Sequence, residues 1–214
     1  MAVINQGILG GFSGKVANVV GTSWKGIAVM KALPLSVANP RTAAQVAQRT
    51  KMAACVAMLQ PILSQVIKPL NDRFAGKMSG FNYALQASIS AFDSSGALST
   101  PGNFKISRAA NKAQLIDAIA AESKITKLKV TWTSDAGKGY ALASDKCFLV
   151  GYCPESGSFA VSTSAVRDAG QAYLEFPDGD VNAGDTVQVW MACLRADGTV
   201  GFAQDYNDWT AVAP

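Results

Sequence analysis

Alternating apolar and polar positions mark both ends of the chain, and a helical repeat marks the stretch between them. Near the N-terminus, "GKVANVVG" alternates through Val16, Asn18 and Val20. "SWKGIAVMKAL" places Trp24, Ile27, Val29 and Leu33 around an irregularity at Gly26. Two such runs predict a β-hairpin over residues 10–36, turning at Gly21-Thr22-Ser23 and stopped by Pro34, which cannot donate to a ladder.

The period then changes. Asn39-Pro40 is a turn signal, and proline disfavours helix at the residue before it. Thr42 followed by Gln45 forms a capping box, in which the hydroxyl accepts from the backbone N–H at Gln45 and the amide reaches back. A helix is predicted over Ala43 to Leu59, with Val46, Met52, Val56, Leu59 and Leu63 on its apolar stripe. Pro61 bends or restarts it, and "ILSQVIKPL" continues helically to Pro69. A further helix is predicted over "DRFAGKMSGFNYALQASISAF", with its apolar side at Phe74, Met78, Phe81, Leu85 and Ile89. Two glycines oppose it by about 1 kcal/mol each.

After the linker-like run "DSSGALSTPGN", the stretch "ISRAANKAQLIDAIAAESKI" reads either as helix or as a strand with a short loop. Alternation returns at Leu128, Val130 and Trp132. It continues through "DKCFLVGYC", "SFAVSTS", "QAYLEF", "DTVQVWMACLRA" and "TVGFAQDYN". Turns at Glu155-Ser156-Gly157, Asp178-Gly179 and Asp197-Gly198 separate these runs, a spacing that predicts an antiparallel β-sandwich. Trp132 resembles the core tryptophan of an immunoglobulin-like domain. The expected class is therefore α+β. A hairpin-and-helix assembly module at 1–96 precedes a transition at 97–126 and an immunoglobulin-like sandwich at 127–214.

Charge adds a polarity to this picture. Residues 1–92 hold nine Lys/Arg against Asp72 alone, a balance of +8, and the remainder carries −4. Opposed halves suit two modules, or head-to-tail contact between copies. The alanines of the first helix (Ala43, Ala44, Ala47, Ala53, Ala54, Ala57) permit close approach, either within the chain or against another subunit. With no secretory pattern and no apolar run of membrane length, the expectation is a chain made in the cytoplasm, without a membrane partner.

Little in the sequence points to chemistry. There is no histidine, which removes the usual nucleophile-activating base and most zinc ligand sets. "GGFSGKV" fails as a phosphate loop because Leu9 and Val16 occupy the positions that need Gly and Ser/Thr. Cys55, Cys147, Cys153 and Cys193 form no C-x-x-C pair. Buried thiols are favoured over a Cys147–Cys193 bridge. "FPDGDVNAGD" reads as an exposed acidic loop, the alternative being calcium at Asp178, Asp180 and Asp185. The basic residues are dispersed and match no nucleic-acid reader. No cofactor motif stands out.

Three stretches, "GKVANVVGTSWKGIAVMK", "NPRTAAQVAQRTKM" and "MSGFN", together resemble an uncharacterised domain family common in Bacteroidetes genomes and their phages. In that family a similar N-terminal region precedes an immunoglobulin-like sandwich. Asn39, Pro40, Arg41, Thr42, Gln45 and Arg49 also look like a motif of small phage structural proteins. The resemblance implies a non-enzymatic component of a tailed-phage or prophage virion, a neck or tail-ring or connector protein. Its partners would be copies of itself and other virion proteins. The alternative is an adhesin-like module that binds a glycan or surface protein. Expected subunit-contact residues are Trp24, Lys25, Arg41, Gln45, Arg49 and Trp209, the tryptophans having core packing as their other reading.

Overall fold

The computed structural model describes residues 3–4, 11–24, 26–36 and 39–212. The chain divides into two compact units, residues 1–42 and 43–214. The boundary therefore falls at the start of the first helix and not near residue 96, so the helices share a unit with the sandwich.

The first unit is a four-stranded antiparallel meander: β1 (Val3–Ile4), β2 (Phe12–Val16), β3 (Val19–Trp24) and β4 (Ile27–Ala32), in that spatial order. The chain reverses at Ala17-Asn18, where Ala17 takes φ +48°, and again at Gly26, with φ +84°. Gly21, expected in a turn, instead lies mid-strand, opposite Gly14 on one side and Met30 on the other. A Cβ at Gly21 would sit 2.2 Å from the carbonyl oxygen of Phe12. The glycine is there because β2 crosses too closely for a side chain, a use that composition cannot distinguish from a turn.

The second unit opens with α1 (Ala43–Leu59), then a π turn over Leu63–Ile67 that runs into α2 (Lys68–Asn71), and then α3 (Gly80–Ser88). Helix α3 starts eight residues later than the apolar pattern suggests. Gly76 takes φ +64°, and the Ser79 hydroxyl caps the helix by accepting from the N–H of Asn82.

Seven strands follow in two sheets. One has the order β11-β10-β7-β8 (Asp205–Thr210, Thr186–Leu194, Lys146–Cys153, Ser158–Val166). The other has the order β5-β6-β9 (Ala118–Ala121, Lys127–Thr131, Gln171–Glu175). The pairings within both sheets are antiparallel, and their inner faces share one core of Leu128, Val130, Leu149, Leu174, Val189 and Met191. This is the expected immunoglobulin-like sandwich. Trp132 is buried in that core and donates from its indole to the carbonyl of Arg167 at 2.7 Å. It follows the sandwich's second strand, whereas antibody domains carry their core tryptophan on the third.

Strands β7 and β10 are buried on both faces. Their alternate residues Phe148, Val150, Trp190, Ala192 and Leu194 form a second core with Leu59, Ile62, Ile67 and Leu70 of the helices. Helices, four-stranded sheet and three-stranded sheet thus stack as three layers. Segment 97–126 is not a linker. Phe104, Ile106 and Ile116 are buried, and Phe104 packs 5.1 Å from Trp190, centre to centre. Asn71 donates to the carbonyl of Ile106 at 2.8 Å, and the indole of Trp190 donates to that of Pro101 at 3.0 Å. Among the described residues no single helix is long and apolar enough to cross a membrane.

Candidate assembly surface

The first unit is too small to enclose a core. Sheets of this size need a covered face, and domains below about 40 residues rarely stand without a staple or a partner. Every residue of β4 is exposed, with Ile27 at 60% and Met30 at 67%. Val16 and Val29 are exposed as well, and Leu35 beyond the strand is fully so. Ile27 and Val29 project to one side of the sheet and Met30 to the other, by the two-residue period of a strand. β4 is also an edge of its sheet, so one row of its backbone donors and acceptors faces away from β3. An apolar side-chain ladder and an unpaired backbone ladder therefore coincide on six residues.

Charge singles out the same unit. It holds Lys15, Lys25, Lys31 and Arg41 and no acid, so it carries the protein's whole net charge of +4. The second unit, with fifteen residues of each sign, is neutral.

In the second unit, the early turns of α1 stand clear of the core. From Ala43 to Arg49 only Ala47 is even partly covered, and burial begins in earnest at Cys55, Met58 and Leu59. Val46 and Met52, expected to face inward, are both more than two-fifths exposed. Their periodicity was sound, but the body they would pack against begins one to two turns later.

The expected contact residues are placed unevenly. Trp24 ends β3, opposite Ile27, and Lys25 lies outside the described residues. Arg41, Gln45 and Arg49 are exposed around the start of α1. Trp209 is in β11 opposite Val187 and packs half-buried against the sandwich core, so its role within this chain is packing. The acidic loop does not converge on one point. Asp178 bonds to Lys124 and Thr126, Asp180 to Ser158, and Asp185 accepts from the N–H of Asn182 at 2.7 Å.

A polar cluster inside the sandwich gave no sequence signal. Arg167, fully buried, pairs with Asp135 and, at 3.2 Å, with the equally buried Asp145, and its guanidinium lies 4.2 Å from the ring centre of Phe202. Beside it Cys147 and Cys193 face each other across β7 and β10 as free thiols, sulfurs 2.7 Å apart. The mutual hydrogen bond and burial push the Cys147 thiol far above its ordinary range. These groups join the 135–145 loop to the turn after β8, while Asp145 Oδ1 and Arg167 Nη2 stay buried without a hydrogen-bond partner among the described residues. A lone arginine between two strands is invisible to pattern reading.

Residues 11–206, nearly the whole of both units, match the description of a family of unknown function, DUF6266. The chain belongs to this family. No curated protein matches the DUF6266 chain. Among solved structures, it is similar to the spore cortex lytic enzyme SleM of Clostridium perfringens, at 11% identity and a TM-score of 0.32. That likeness covers 46% of this chain and 28% of the enzyme's.

Proposed function

We propose that this DUF6266 protein is a non-enzymatic structural subunit that assembles with copies of itself through its N-terminal sheet. The observation that carries this reading is β4: an edge strand, exposed along its whole length, bearing Ile27, Val29 and Met30. Strand addition between copies would pair the open backbone ladder and cover the apolar side chains together. Like positive charge on the first units opposes their close approach, so the association rests on the backbone ladder and the apolar side chains, and the repulsion works against unrestricted aggregation. The exposed early turns of α1 offer a second contact. Arg49 on this helix and Arg41 just before it are exposed and carry guanidinium groups of the kind that pair with carboxylates of a neighbour.

Placement in a tailed-phage or prophage virion, as a neck or tail-ring or connector protein, rests on the N-terminal motif resemblance. The proposed partners are accordingly copies of this chain and other virion proteins, with assembly in the host cytoplasm. The test is the full-length double variant Ile27→Lys/Val29→Lys, compared with the parent by native mass. A multimeric parent and a variant reduced to the 22.3 kDa chain, with unchanged unfolding of the second unit, support the reading. A variant that assembles like the parent removes β4 as the contact.

A further inference from the structure

We propose that the second unit carries a binding site for an acidic saccharide, in the cleft between residues 108–112 and the 135–141 loop. This goes beyond the assembly role and does not depend on it. Two cavities of about 430 and 220 Å³ adjoin here and share Asn111 and Tyr140 in their walls. The larger falls within the range of small-ligand sites and has room for one or two sugar rings.

The lining is aromatic and cationic together. Tyr83 and Tyr140 border the larger cavity, and Tyr140 is 66% exposed, available as a platform for the apolar face of a pyranose. Arg108 lies on the same wall, with Lys112 and Lys138 around the smaller cavity. Arg108 is already oriented: it donates to the carbonyl of Tyr83 at 2.9 Å and to Gln86 at 3.1 Å, its guanidinium 3.9 Å from the Tyr83 ring centre. The loop backbone is also held, since Arg195 donates to the carbonyl of Tyr140 at 2.7 Å. A carboxylate entering the cleft would meet one pre-placed cation, Arg108, at little ordering cost, with Lys112 and Lys138 exposed nearby. The one acid on its wall, Asp135, is engaged by buried Arg167.

Charge distinguishes a saccharide from a nucleic acid. Strand binding draws on a broad positive field and a basic track with aromatic platforms. The second unit is neutral, and these three cations gather around one open cleft of limited size.

The experiment is calorimetric titration of the full-length protein with trigalacturonic acid, its methyl ester, 3′-sialyllactose and a thymidine dinucleotide. The expected result is binding of at least one acidic sugar, with the neutral ester about tenfold weaker or worse. Tyr140→Ala and Lys138→Gln, both at exposed positions, should each weaken that binding several-fold without shifting the melting temperature. Three results would overturn the proposal: no binding of either acidic sugar, equal binding of acid and ester, or a preference for the dinucleotide. Binding that neither variant changes would place the ligand elsewhere and overturn it too.

Discussion

Replacing Arg167 with methionine would leave the carboxylate of Asp145 enclosed in the sandwich without its counter-charge. Breaking a buried ion pair on one side costs about 3–5 kcal/mol, far above the effect of an exposed pair such as Lys124–Asp178. The urea midpoint of Arg167→Met should drop accordingly, and adding Asp145→Asn should recover part of the loss. A single variant within about 0.5 kcal/mol of the parent would show that the cluster is solvated. Alkali tests the interior differently. Burial pushes the Cys55 thiol up to about 11 and the Tyr206 hydroxyl up to about 12. Both are neutral when protonated, so the unfolded chain loses these protons first. Stability should be level below the ordinary thiol value of 9.0 and fall as pH rises from there toward 12. Melting temperatures measured from pH 7 to 11 that stay flat would contradict this.

At the scale of elements, Gly21 decides whether the first unit forms. Gly21→Ala drives a Cβ into the β2 backbone and should abolish assembly while leaving the main unfolding transition of the second unit in place. Assembly unchanged in that variant, read by light scattering, would show that β2 and β3 need not pair. Elements whose cause is local were legible in the sequence. Helix α1 runs from Ala43 to Leu59 as its turn and cap signals predict, and the glycines of the Glu155, Asp178 and Asp197 turns take positive φ. Elements whose cause is tertiary were less so. The long apolar run of β10 signals burial on both faces, yet nothing in it says that helices would supply the second cover. The last strand begins later than "TVGFAQDYN" suggests. Phe202 and Ala203 pair instead with Asn111 and Arg108, residues whose own segment read equally as helix or strand.

For the whole molecule, the same distinction explains which surface residues could be foreseen. Arg41, Gln45 and Arg49 stood out by motif and are exposed. Val46 and Met52, on the apolar stripe of α1, are exposed too, because a period reports a face and not what covers it. The 108–140 cleft joins segments far apart in sequence and left no local trace. If α1 contributes a contact through its early turns, Arg49→Glu should weaken assembly several-fold, seen as a higher dissociation concentration in sedimentation, with the melting temperature nearly unchanged. Equal loss of both would assign Arg49 to the fold. The claim on which the account depends is self-assembly, and the native mass of the purified chain, with negative-stain images of the same sample, tests it most directly. A discrete multimer of defined symmetry, dispersed by Ile27→Lys/Val29→Lys, is the expected result. A 22.3 kDa monomer at high concentration would contradict self-assembly through β4.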